Sequence, residues 1–201
     1  MMESNREIIE HYDMLVDENN DPVHDPKQLR DYMNKWDGGL FLNSMELDQF
    51  KSVLEIGCGT GRLAVQVAPL CAKFCGIDIS PKTIQRAKEN LSMSNNVMLI
   101  CDDFMEHSFD SSFDIIYSSL TFFHFQDKQA AIYKTASLLN ENGRFILSLS
   151  KNQDAYIDMG ERKILIYPDN FSVIKKYITN AHLNLIKCFE TEFAYILIII
   201  K

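Results

Sequence analysis

The 201-residue chain has few cysteines, no long hydrophobic run and no excess of positive charge, and each absence removes a class of protein. Its 5 cysteines are an odd number scattered over strand and helix patterns, which excludes a disulfide framework and suits a reducing compartment. Cys71 and Cys75 have the spacing of half a metal site. No second pair or neighbouring histidine completes it, so both are expected to pack in the core and no metal is expected. The longest late apolar run, Tyr195 to Ile200, is far below the roughly 20 residues of a membrane span and reads as a buried strand. The first residues, Met1-Met2-Glu3-Ser4-Asn5-Arg6-Glu7, carry acids where a secretion signal carries bases, and no apolar stretch follows. A cytoplasmic protein with no membrane partner is therefore expected.

The net charge is −8, and it is unevenly placed. Residues 1–50 hold 12 Asp and Glu against 4 Lys and Arg, whereas from residue 51 onward acids and bases balance at 16 each. A neutral body without a basic run offers nothing to track a phosphate backbone, so no nucleic-acid partner is expected. The length suits one structural unit with a small cap. The boundaries expected are an N-terminal helical cap segment over 1–50 and a ligand-binding domain over 51–201.

The informative stretch is Val53-Leu54-Glu55-Ile56-Gly57-Cys58-Gly59-Thr60-Gly61-Arg62, an apolar strand that runs into a glycine-rich turn and then a helix. Glycines at alternate positions let the backbone turn tightly and approach a ligand, and the helix start offers free N–H groups to negative charge. A dinucleotide fingerprint places its third glycine where this chain has Arg62, which argues against an NAD-dependent dehydrogenase. The next strand, Lys73 to Ile79, ends in Gly76-Ile77-Asp78-Ile79-Ser80, with Asp78 21 residues after Gly57. A carboxylate there can accept both hydroxyls of a ribose, which by itself indicates only adenosine. Strand patterns at Asn96 to Cys101 and Phe113 to Tyr117 lead into Asp102-Asp103-Phe104 and Ser118-Ser119-Leu120-Thr121.

The G-x-G-x-G form with an acid two positions before it, followed by these strand ends in order, resembles the class I S-adenosylmethionine (SAM) dependent methyltransferases. The resemblance implies cofactor contacts from Glu55, Gly57, Cys58, Gly59 and Gly61, with Cys58 acting through its backbone. It further implies that Asp78 and Ile79 hold the ribose, Asp103 the adenine amino group, Phe104 the ring face, and the backbone near Ser118 the methionine amine. The fold implied is a doubly wound, seven-stranded, mostly parallel sheet with an antiparallel last strand, a Rossmann-like methyltransferase fold.

The remaining patterns agree with an alternating α/β body. Leu63, Val67 and Leu70 predict a helix that Pro69 stops or kinks. Ser80-Pro81 predicts a helix start running to about Met93, and Asp127 starts a helix that Gly143 ends as a left-handed residue. Strands are expected over Arg144 to Ser150, Leu183 to Glu190 and Phe193 to Ile200, with a short one over Lys163 to Tyr167 and a helix over Ser172 to Ala181. Upstream, Ile8, Tyr12 and Leu15 share one helical face, a second helix spans Lys27 to Trp36, and Asp37-Gly38-Gly39 breaks it.

Methyl transfer from a sulfonium is an in-line displacement that needs alignment and exclusion of water, with a base only if the acceptor arrives protonated. His124 is the candidate base, against a role in orienting its loop. Tyr12 is a second catalytic candidate from the cap, and His24 and Trp36 are cap residues that either close over the ligand or merely pack. Asp17, Glu18, Asp21 and Asp25 either attract a cationic acceptor, bind a metal with His24, or form an ordinary solvated loop. The function expected is methyl transfer from SAM to a small-molecule acceptor. The alternatives are a non-catalytic module that binds SAM or S-adenosylhomocysteine (SAH), and a methyltransferase acting on a macromolecule. The turn after the fourth strand lacks the Asn/Asp-Pro-Pro-Tyr/Phe sequence of enzymes that methylate nucleobases or glutamine.

Overall fold

The computed structural model describes residues 3–160 and 162–201. Five strands form the frame: β1 (Ser52–Ile56), β2 (Lys73–Asp78), β3 (Val97–Cys101), β4 (Phe113–Ser118) and β5 (Leu139–Ser150). A two-stranded ribbon, β6 (Tyr156–Asp158) with β7 (Lys163–Leu165), follows, and the chain closes with β8 (Asn184–Glu190) and β9 (Ala194–Ile200). The main sheet has seven strands in the order β3-β2-β1-β4-β5-β9-β8. Pairings from β3 through β5 are parallel, and β9 runs antiparallel to both its neighbours. This is the expected fold class.

Side chains of a strand point alternately to the two faces, and here neighbouring residues feed opposite cores. Leu54, Ile116, Leu197 and Ile199 pack with Ile132 of α6 (Lys128–Leu138) and Ile174 and Ile178 of α7 (Phe171–Asn180). Val53, Ile115, Ile196 and Ile198 pack with Ala64 and Val67 of α4 (Ala64–Val67) on the other face. Both faces are covered, so the central strands read as nearly continuous apolar runs.

One local expectation holds in shortened form and two are corrected. The helix after the glycine turn has only four residues before Pro69 turns it into a short 3-10 segment, Ala68–Leu70. Gly143 does not end α6. The chain passes from Leu138 directly into β5, Asn142 takes the left-handed conformation at φ 62°, and Gly143 is required because a Cβ there would lie 2.7 Å from the Asn140 carbonyl oxygen. Upstream, α1 (Glu3–Asp17) and α2 (Lys27–Met33) are followed by a third helix, α3 (Gly38–Asn43), where a break was expected. Asp37 caps it by accepting from the Gly38 amide at 2.7 Å. Phe41 of α3 and Met45 beyond it are fully buried in the sheet's second core. The helix Pro81–Asn90, α5, starts as expected, with the Ser80 hydroxyl accepting from the Thr83 amide.

Candidate functional site

The glycine turn leaves the carboxyl end of β1, beside the point where the strand order reverses between β1 and β4, which is where open α/β sheets bind ligands. Gly57, Gly59 and Gly61 have φ of 74°, 52° and 95°, all in the region that side chains disfavour. The Gly57 and Cys58 amides both donate to the Ile77 carbonyl, which fastens the turn to β2. Cys58 is buried, and a Cβ at Gly76 would meet its sulfur at 2.9 Å, so the turn lies tightly on the sheet. Burial pushes the Cys58 thiol pKa well up, leaving an inert filler.

Asp78 ends β2 beneath this turn. Its carboxylate accepts from the Gly59 amide at 2.9 Å, the Ser80 amide at 3.0 Å and the Thr83 hydroxyl at 3.2 Å. Burial raises its pKa, and these hydrogen bonds oppose the rise. The Thr83 hydroxyl also reaches the Ser80 carbonyl at 2.9 Å, which leaves acceptor capacity on Asp78 for a ligand. Asp103 accepts from the Met105 amide and, across the site, from the Asn5 side chain at 2.7 Å. Phe104 is 5% exposed and packs with Phe109 and Phe125.

These groups line one cavity of about 1070 Å³. Glu55, Gly57, Cys58, Gly59, Asp78, Ile79, Asp103 and Phe104 reach its wall, together with Tyr12 and His124. Gly61 and Ser118 do not. Gly61 lies behind the turn against Leu91, and Ser118 is fully buried with its hydroxyl donating to the Ile56 carbonyl. At that strand end the wall is Ser119, Leu120 and Thr121, with Leu120 held at φ 57°. A non-glycine residue in that conformation is backbone strain sited at the cavity edge. Glu55 is buried and accepts from the Tyr117 hydroxyl at 2.9 Å, and burial raises its pKa to about 8 against the pull of that hydrogen bond and of Arg62.

The two catalytic candidates, 112 residues apart, meet: the Tyr12 hydroxyl and His124 Nε2 are 2.8 Å apart. Burial is the main cause that lowers the His124 pKa to about 3, with His11 and Lys128 adding to it, and burial raises that of Tyr12. Both therefore stay neutral near pH 7. His124 Nδ1 is buried without a partner, as is that of His11 nearby.

The acidic loop is exposed at Asp17, Glu18 and His24 but anchored at Asp21. Asp21 is 6% exposed and accepts from the Thr60 hydroxyl at 2.8 Å and from Asn90 at 3.1 Å, while it pairs with Arg86 at 3.3 Å. Burial alone would raise its pKa, but these bonds hold it below the usual value. Asp13 accepts from the Ser80 hydroxyl and the Lys82 amide, Asp17 pairs with Lys82, and Glu18 with Arg162. His24 is exposed and bonds Asn90, and no cluster among the described residues could hold a metal. Trp36 packs on Phe193 with ring centroids 4.5 Å apart and reaches the cavity wall. Sequence reasoning missed the pairing of buried Asp37 with Arg62 and the Ser119 hydroxyl. The only signal was an Asp directly before Gly-Gly, a helix start as well as a breaker.

A family model described as a methyltransferase domain matches residues 53–143. Malonyl-[acyl-carrier protein] O-methyltransferase 1 of Ilyobacter polytropus is 29% identical over 120 residues, 59% of this chain and 44% of that protein, so the chain spans less than half of that relative's length. The solved structure of magnesium protoporphyrin IX methyltransferase from Synechocystis PCC 6803 with bound SAM gives a TM-score of 0.77 at 18% identity, covering 100% of this chain and 98% of that one. The N-methyltransferase NodS from Bradyrhizobium japonicum WM9, in complex with SAH, gives 0.73 at 17% identity and 99% coverage of both chains. At these identities the structural likeness establishes the fold alone. Residues 53–143 thus match a methyltransferase domain, and the fold around them is the one these SAM- and SAH-bound methyltransferase structures share.

Proposed function

We propose that the chain binds SAM between the glycine turn, Asp78 and Asp103, and transfers its methyl group to a small-molecule acceptor held under the N-terminal helices. The observation that carries the reading is the single cavity itself. Its lining joins the turn and a carboxylate with spare acceptor capacity to a cap side that offers Leu29, Met33 and Trp36 beside Asn19, Asn20 and Asp25. Gly57, Cys58 and Gly59 let the backbone approach the cofactor, Glu55 and Ile79 support the turn and ribose positions, and Asp103 takes the adenine amine once Asn5 gives way. Phe104 backs the ring, and Ser119 to Thr121 take the position expected for Ser118. The roof excludes water and aligns donor with acceptor, which is most of what a displacement at a sulfonium requires. By their names, the related proteins act on different acceptors at oxygen and nitrogen, so the acceptor atom is not carried over from them.

Calorimetry tests the cofactor. SAM and SAH are expected to bind and NADH is not, and Asp78→Ala is expected to weaken SAM by about 1.5 to 3 kcal/mol, the worth of hydrogen bonds to a charged group. Unchanged affinity in the folded variant removes Asp78 from the site.

A further inference from the structure

Given SAM as the cofactor proposed above, we infer that Arg62 receives the carboxylate of its methionine end. The first support is the order of the strand ends. β3, β2, β1 and β4 lie side by side and parallel, and their carboxyl ends bring Asp103, Asp78, the glycine turn and Ser119 to the cavity in that order. Three steps between neighbouring strands span about 14 Å, room for SAM laid out across them. With adenine at Asp103 and ribose at Asp78, the methionine end falls between the turn and Ser119, where Glu55 and Arg62 both reach the wall.

The second support is charge. The methionine end carries an ammonium and a carboxylate, and the two need opposite partners. Among the described residues that line the cavity, Arg62 is the one Lys or Arg, whereas acids reach it from many stretches of chain, including Asp25, Asp102, Glu106 and Asp127. Burial disfavours the cationic form of the lining histidines His11 and His124, so neither supplies a second positive charge near pH 7. An ammonium therefore finds negative charge at many points, with Glu55 beside the turn. A carboxylate meets a cation only at Arg62, and this one guanidinium sets which way round the methionine end lies.

The third support is local geometry. Asp37, whose side chain is fully buried, takes Arg62 bidentately: Nη1 donates to Oδ1 at 3.2 Å and Nη2 to Oδ2. The same Oδ2 accepts from the Ser119 hydroxyl at 2.7 Å, which ties the guanidinium to the end of β4. Asp37 uses only part of the donor fork, and among the described residues no other acceptor engages the Arg62 side chain. That side chain reaches the cavity wall while only 15% exposed, so little water competes for its remaining donors. A fork fixed on one edge and open on another suits a carboxylate, whereas a lysine here would spend its point charge on Asp37.

The test is calorimetry on the full chain with SAM and with decarboxylated SAM, which differ only in that carboxylate. The unaltered chain is expected to bind SAM at least about tenfold more tightly, in line with charge-assisted hydrogen bonds. Arg62→Gln is expected to remove that preference while its affinity for decarboxylated SAM stays close to that of the parent. A purely structural pairing of Arg62 with Asp37 would instead weaken both ligands alike and leave their ratio unchanged. Thermal unfolding is followed for each variant. If Arg62→Gln does not fold, Arg62→Lys, which still gives Asp37 a cation, is read in its place and is expected to lose most of the preference for want of the fork. No binding of SAM by the unaltered chain overturns the cofactor reading itself. Where SAM binds, equal affinity for the two ligands in the unaltered chain, or an unchanged preference in the folded variant, overturns the role of Arg62 alone.

Discussion

Gly57 and Gly59 both hold left-handed backbone, yet their surroundings differ. A Cβ on Gly57 would lie 2.0 Å from the Thr121 hydroxyl oxygen, whereas one on Gly59 would meet nothing within 4 Å. Gly59→Ala is therefore expected to cost about 1 to 2 kcal/mol of backbone strain alone, and Gly57→Ala distinctly more, as read from urea unfolding midpoints. Equal losses would show that Thr121 yields freely. Glu55 makes a second case. The unfolded chain ionises it near its ordinary value of 4.5 and the folded chain near 8, so stability falls as pH rises through that window. Glu55→Gln is expected to flatten this limb and to gain relative to the parent between pH 4.5 and 8 in thermal unfolding; a parallel pair of curves removes the effect. The glycines and Asp78 were legible because each answers a local backbone demand. The proximity of Tyr12 to His124 was not, since 112 residues separate them and only the fold joins them.

At the scale of elements, the strands and the helices α5, α6 and α7 follow periodicity and capping residues, and the structure moves their ends by only a few positions. The errors lie where two local rules competed. Asp37-Gly38-Gly39 reads as a break, but Asp37 is also a helix cap, and burial of Phe41 and Met45 decides for the helix. The acidic loop after α1 reads as solvated because Asp and Asn are ordinary loop residues, yet its Asp21 is an anchor. Asp21→Ala strands the Thr60 hydroxyl and takes one of two partners from Asn90 and from Arg86, so it is expected to cost about 1 to 3 kcal/mol. Asp17→Ala removes only an exposed pair and is expected to cost below about 1 kcal/mol. Denaturant titration of both variants separates an anchor from a surface charge, and equal effects would sink the distinction.

Across the whole molecule, the sheet order follows from its alternating connections, while the roof over the cavity comes from two remote stretches, α1 with its loop and the β6–β7 ribbon, linked by the Glu18–Arg162 pair. The sequence announced a helical cap but not what fastens it, because those contacts are long-range and their side chains look like surface. The same feature sets an order of assembly. Residues 3–50 are synthesised before every partner that fixes them: α1 and its loop await Ser80, Lys82 and Asn90, the Trp36 carbonyl awaits Ser148, and the Lys35 carbonyl awaits the Phe193 amide. A nascent chain thus carries a roof that α5 holds at one end and that stays unfastened at Lys35 and Trp36 until almost the last strand is made.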